Sequence, residues 1–379
     1  MTPSCRHFST FALPVATLLA CTLVMPTHST TALRAAETDA PADTGKAQLE
    51  QAVDALIAGA KLSVAAAKTD QDAVAKAQQS LEAIRIIGQL GDFGTESQAG
   101  KLMDELRSGA RPSVVDAVIQ LQMTNKMRLF PQLNPSERAA AIASYVNDVK
   151  KLGMSGPHGM ILIKLANMMG DSEEGKVVAD AITELQPAIQ ESKDPKIRKM
   201  GPLLEGIARR LNLVGQPMEL EGKLLDGSEL DWSSYRGKVV LVDFHASWCG
   251  PCRAEVPNVL KNFQAYHDRG FEVVGVNLDT DPKLAEKYIL ETGAKFPTIF
   301  SDNAEAKGWE CPMAVRYGIL AIPRVMLVGK DGKVVSTNAR GATLAAHLEK
   351  LLGPPAASGD SEDKNSGVKT PSKGATAAQ

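Results

Sequence analysis

The stretch Val239-Val240-Leu241-Val242-Asp243-Phe244-His245-Ala246-Ser247-Trp248-Cys249-Gly250-Pro251-Cys252-Arg253 decides how this 379-residue chain is read. Lys238 to Phe244 is a continuous run rich in β-branched residues, the pattern of a strand buried on both faces of a sheet. A helix is expected directly after it, with Pro251 in the first turn and an end near His267. Strand, Cys-x-x-Cys and helix in that order have a chemical meaning. A cysteine at a helix N-terminus faces unpaired backbone N–H groups and the positive end of the macrodipole, both of which stabilise its thiolate. Cys249 is therefore the expected nucleophile. Cys252, one turn later, is placed to attack a mixed disulfide formed at Cys249. The same spacing could be half a zinc site, but a closed site needs a second pair, and downstream of the motif the sequence offers only Cys311.

The rest of the composition supports a specialised C-terminal region. Cys5 and Cys21 lie near the N-terminus, and no other cysteine occurs until Cys249, which excludes a disulfide-stapled scaffold. Of the three Trp, five Tyr and nine Phe, twelve fall between Trp232 and Tyr317. Lys and Arg total 42 against 44 Asp and Glu, a formal charge of −2, so no nucleic-acid or anionic-membrane partner is indicated. Ahead of the strand, Met218 to Leu225, Asp226-Gly227 and Ser228 to Trp232 read as a hairpin around an Asp-Gly turn.

Further upstream, residues 40–213 read as an all-α domain. Apolar residues recur at helical spacing, as in Val53, Leu56, Ile57, Ala60 and Val64, or Ile142, Val146 and Val149. Asn134-Pro135-Ser136-Glu137 supplies an N-cap, a first-turn proline and an acid at the third position, and Gly153 closes that helix. Asp194-Pro195 starts another, and six or so helices are indicated. His158, between Pro157 and Gly159 and without ligand-spaced partners, reads as a surface loop histidine. Met154, Met160, Met168 and Met169 read as core filler. No chemistry is legible here, and protein contact is the default role for such a helical domain.

The ends read differently again. Residues 1–36 have the charged start and short apolar run of an export signal, too short for a membrane span. Within it Leu18-Leu19-Ala20-Cys21 resembles a lipobox, which leaves two alternatives: removal by ordinary signal peptidase, or lipidation of Cys21 and membrane anchoring. Residues 354–379 are poor in apolar residues and balanced in charge, the composition of a disordered tail.

Residues 216–353 resemble the thioredoxin-like domain, an α/β fold with a central mixed sheet flanked by helices, and most closely the exported TlpA/ResA-type thiol-disulfide oxidoreductases. The resemblance rests on Trp248-Cys249-Gly250-Pro251-Cys252, Glu255-Val256-Pro257, Phe271 to Asp279, Tyr317 to Pro323 and Lys330-Asp331-Gly332-Lys333, in that order and spacing. It implies that Pro323 is a cis-proline beside the cysteines, where an open backbone edge takes an extended substrate. Trp248, Gly250, Pro251, Ile322 and Arg324 would surround that groove. It also implies reduction of protein disulfides in the periplasm or cell envelope, with apocytochrome c as one substrate. A membrane thiol donor would restore the dithiol, and no cofactor beyond it is implied.

Two acids, Asp243 and Glu255, match the proton-handling carboxylates of the thioredoxin and ResA patterns respectively. Either could take the proton of Cys252. His245 stands where an aromatic is usual, and either fills space or titrates near the thiols. Arg324 replaces the common threonine after the cis-proline and, if it faces the groove, favours acidic partners. Cys311 reads as a buried small hydrophobe. Gly-Pro between the cysteines and Ile322 before Pro323 resemble reducing members of the fold. The contrasting functional classes are a helical scaffold with a vestigial redox domain, and a thiol peroxidase.

Overall fold

A computed structural model of the chain describes residues 42–90, 100–106 and 111–355. The export segment expected at 1–36, with Cys5 and Cys21, lies outside the described residues, as does the expected tail beyond 355. The first half is helical: α1 (Ala42–Ala65), α2 (Asp70–Leu90), α3 (Pro112–Leu129), α4 (Pro135–Leu152), α5 (Gly156–Met169), α6 (Glu173–Glu184), α7 (Gln186–Gln190) and α8 (Pro195–Leu211), with a further helical segment at 100–106. Among the described residues this exceeds six helices, partly because Pro187 starts α7 immediately after α6.

Local chemistry sets several of these boundaries. The Asn134 side chain accepts the Glu137 N–H at 3.0 Å while Glu137 accepts the Asn134 N–H at 2.9 Å, a reciprocal cap worth about 1 kcal/mol. Gly153, at φ 93°, ends α4 in a conformation that a side chain would resist. No described helix is long and apolar enough to cross a membrane.

Two compact units emerge, one from the described residues within Met1–Leu165 and Glu184–Lys199, the other from those within Ala166–Thr183 and Met200–Gln379. The packing division thus differs from the division along the chain, since residues 166–183 and 200–213 of the helical stretch belong with the C-terminal unit. In the first unit, Val53, Ile57, Ala73, Leu81, Leu102 and Val114 contribute to one core across α1, α2, the 100–106 segment and α3.

His158 departs from its reading as a surface loop residue. Ser155-Gly156-Pro157 is a helix start rather than a loop, and His158 is fully buried on α5. Its Nδ1 lies 3.2 Å from Ser155 Oγ and its Nε2 2.9 Å from Asp116 Oδ1, with the Tyr145 ring edge-on. The methionines divide as well, Met154 being buried as expected and Met169 half-buried. His158, Ile161, Leu162, Leu165 and Ala166 form the buried stripe, and Met160 and Met168 fall off it and are exposed.

The second unit is built on a five-stranded mixed sheet of order β3-β2-β1-β4-β5. The strands are β1 (Val239–His245), β2 (Phe271–Asn277), β3 (Thr298–Ile299), β4 (Arg324–Val328) and β5 (Val334–Ser336). β1 is central, parallel to β2 and antiparallel to β4. Val240, Val242 and Phe244 enter the core on one face, and Val239 and Leu241 the core on the other. Besides most of α6 and of α8, the unit has four helices after β1 among the described residues: α9 (Gly250–Tyr266), α10 (Pro282–Thr292), α11 (Pro312–Arg316) and α12 (Ala342–Leu352).

The expected 218–232 hairpin shrinks to a single bridge between Lys223 and Glu229. Gly222 at φ 135° interrupts the first arm, and Asp231 caps a 3-10 turn over Trp232–Tyr235 that ends the second. Lys223 to Leu225 instead runs along β3, with Leu225 N–H donating to Thr298 C=O at 3.0 Å.

Gly275 on β2 shows how tightly the sheet is filled beside β1. A Cβ there would lie 2.7 Å from Thr298 Oγ1 and 2.9 Å from His245 Cε1. Gly275→Ala is expected to lower unfolding stability by about 1–3 kcal/mol through overpacking, measured by denaturant titration of the disulfide form.

Candidate active site

The central strand delivers the cysteines. β1 ends at His245, a short turn closes with the Cys249 N–H donating to Ala246 C=O at 3.1 Å, and α9 begins at Gly250 with Pro251 in its first turn. Cys249 is the N-cap, and its Sγ accepts the Cys252 N–H at 3.1 Å. The two sulfurs are joined as a disulfide. Cys249 is only 4 % exposed, whereas the neighbouring Trp248 is 58 % exposed. On reduction, the same N-terminal N–H groups would face a Cys249 thiolate.

Ser247 is held on three sides. Its N–H and hydroxyl donate to the two oxygens of Asp279, at 2.9 and 2.7 Å, and its C=O accepts from Arg253 Nε at 2.9 Å. Asp279 is itself buried and accepts from Asn277 Nδ2 at 2.9 Å. The turn that carries Trp248 and Cys249 is thereby fixed to the loop after β2. Asp279 was visible in sequence only as the end of a motif, because its partner lies 32 residues away.

The two acids occupy different settings. Asp243 is largely buried in β1, its Oδ1 has no hydrogen-bond partner, and burial pushes its carboxyl well above the usual range, with the charge of Glu255 adding to the rise and His245 opposing it. Glu255 is half-buried on α9. Its Oε1 accepts from Asn258 Nδ2 at 2.7 Å and from the Gly341 N–H at 2.8 Å, at the start of α12. His245 is buried with its ring stacked on Tyr288, centroids 5.0 Å apart, and its Nδ1 3.7 Å from Asp243 Oδ2. The Arg253 guanidinium lies 5.0 Å from the Tyr288 ring.

Pro323 lies at the same end of the sheet. The Ile322–Pro323 peptide is cis, Ile322 packs on the core cluster that holds Cys249 and Cys252, and Arg324 pairs in register with Phe244. Arg324 does not stand free in a groove. Its Nη1 is 2.7 Å from Asp171 Oδ2, on a segment whose contribution the sequence did not signal. Trp309, 42 % exposed, is a second residue missed from sequence, with its ring centroid 6.0 Å from that of Trp248. The concentration of all three tryptophans in this region was its only trace. Cys311 is buried and unpaired, with its thiol pushed up by burial. Among the described residues no cluster of His, Cys, Asp and Glu could hold a metal ion.

A family model for redoxins matches residues 213–351. The thiol-disulfide oxidoreductase ResA of Bacillus thuringiensis subsp. konkukian is 26% identical over 128 residues, which cover 34% of this chain and 69% of that protein. ResA of Geobacillus thermodenitrificans is 30% identical over 131 residues, 34% of this chain and 71% of the relative. This chain belongs to the ResA-like thiol-disulfide oxidoreductases. Among solved structures, the thioredoxin domain of a thiol-disulfide oxidoreductase from Bacteroides vulgatus is 29% identical and covers 37% of this chain and 97% of its own, with a TM-score of 0.34. The ResA-like part is thus the C-terminal region, and residues 42–212 precede the matched segment.

In this ResA-like oxidoreductase the raised carboxyl of Asp243 links stability to pH. Both folded and unfolded chains are protonated there at low pH. As pH rises through the ordinary carboxylate range the unfolded state ionises first, so the contribution of Asp243 to stability falls until pH passes the raised value. Asp243→Asn is therefore expected to stabilise the protein more at about pH 7 than at about pH 4, read from denaturant midpoints at the two pH values.

Proposed function

We propose that this protein reduces protein disulfides outside the cytoplasm, with Cys249 as nucleophile and Cys252 as the resolving thiol. The observation that carries the reading is Cys249 at the N-cap of α9, bonded to Cys252, at the sheet end where β4 begins after Pro323. The Cys249 thiolate attacks one sulfur of a substrate disulfide, forming a mixed disulfide and releasing one substrate thiolate. Cys252 then gives up its proton and attacks Cys249 Sγ. The second substrate thiolate leaves, and the Cys249–Cys252 disulfide forms, two electrons having passed to the substrate. A membrane dithiol donor reverses that oxidation, and the dithiol pair is the only redox group the cycle requires.

Asp243 is the better supported proton acceptor for Cys252. Its burial and its unpartnered Oδ1 favour uptake of a proton, whereas Glu255 spends one oxygen on Asn258 and the Gly341 N–H. The edge at Ile322 and Pro323, together with Trp248, Gly250 and Pro251 at the start of α9, would receive an extended substrate segment. The signal-like residues 1–36 support export to the periplasm or cell envelope. Apocytochrome c, by the family resemblance, is one substrate to test.

Two measurements test this reading. Cys249→Ser is expected to abolish reduction of a protein disulfide, while Cys252→Ser accumulates a mixed disulfide visible on a non-reducing gel. The reduction potential of the pair is expected nearer to the about −270 mV of thioredoxins than to the about −120 mV of strong oxidants. A value at the oxidising end would reverse the assigned direction.

A further inference from the structure

The residue after Pro323 is held by a charge cluster from the helical stretch of the same compact unit. Asp171, in the turn between α5 and α6, uses Oδ2 to hold Arg324 Nη1 at 2.7 Å and Oδ1 to hold Arg210 Nη1, on α8. Arg210 is 3 % exposed and Asp171 12 %. Two guanidinium groups thus share one largely buried carboxylate, Arg210 out of solvent and Arg324 24 % exposed, so removing that carboxylate leaves both without this anion. Arg324 in turn accounts for the start of β4. Its backbone pairs with Phe244, and its Nη1 also reaches Thr337 C=O at 3.4 Å.

A second contact braces the chain just before Pro323. α8 meets the Val315–Gly318 turn backbone to backbone. A Cβ on Gly206 would lie 2.7 Å from Gly318 N, and one on Gly318, at φ +55°, 2.6 Å from the Gly206 carbonyl carbon. Arg209 Nη1 donates to Arg316 C=O at 2.7 Å. The segment from Val315 to Arg324 is therefore held at both ends by residues that precede the redoxin match.

We propose that Asp171 is a positioning residue for substrate capture, which fixes Arg324 and with it the Ile322–Pro323 edge. It follows that residues 166–183 and 200–211 help to shape the substrate edge without touching the reacting sulfurs. The inference rests on the reading that this edge receives the substrate, and it predicts a split between substrates that need the edge and those that do not. A small disulfide needs only the sulfurs, whereas a polypeptide disulfide must also align along the edge.

The test compares insulin with oxidised glutathione as substrates of the full chain. Asp171→Asn is expected to raise KM for insulin by about tenfold, with kcat, the rate with oxidised glutathione and the Cys249/Cys252 reduction potential all within about twofold of wild type. Asp171→Glu is expected to recover part of the lost affinity. Should Asp171→Asn fail to fold, the double variant Arg210→Met/Asp171→Leu replaces the buried pair with apolar groups and still releases Arg324, and the same split is expected of it. Equal losses on both substrates, or no loss on insulin, overturn the proposal. A wild-type protein that exchanges with glutathione but never reduces insulin overturns the underlying reading of the substrate instead.

Discussion

Burial of β1 on both faces is the constraint on which the C-terminal unit depends. Val240, Val242 and Phe244 serve one core while Val239 and Leu241 serve the other, so the strand can neither slip by one residue nor leave the sheet centre. With its register fixed against β2 and β4, the chain must leave the sheet at His245 and turn into α9 within four residues. That turn places Cys249 at a helix N-terminus, where unpaired N–H groups face its sulfur. The reactive position is a consequence of where the central strand ends.

Three largely buried carboxylates around this end of the sheet meet the cost of desolvation in different ways. Asp279 receives three hydrogen bonds and locks Ser247, so its charge serves geometry. Asp171 is surrounded by Arg210 and Arg324. Asp243 has an oxygen without any donor, and burial raises its proton affinity. A buried carboxylate left short of donors is ready to take up a proton. The chemistry proposed for Cys252 therefore assigns the proton to Asp243, and the other two to holding the site in shape.

Much of the fold was legible because it is written in local pattern. The β-branched run, the first-turn proline at Pro251 and the Asn134 capping box each depend on residues a few positions apart, and the structure reproduces them. The hairpin expected at 218–232 forms around its Asp-Gly turn but with shorter arms, because that signal describes only the turn, while Gly222 and Asp231 terminate the arms. His158 was misjudged because Gly and Pro also begin helices, and its partner Asp116 is distant in sequence.

The sequence by itself determined that a strand, a Cys-x-x-Cys and a helix follow one another, and hence that Cys249 caps a helix. Backbone hydrogen bonding and side-chain periodicity act over one or two turns, so short segments suffice to express them. Only the tertiary structure decided which of Asp243 and Glu255 is short of donors, that Arg324 is held by Asp171, and that Asp279 grips Ser247. These depend on burial and on contacts between residues tens to more than a hundred positions apart. The sequence lists the charges; which of them lose water, and which partner they then meet, is fixed only when the segments pack.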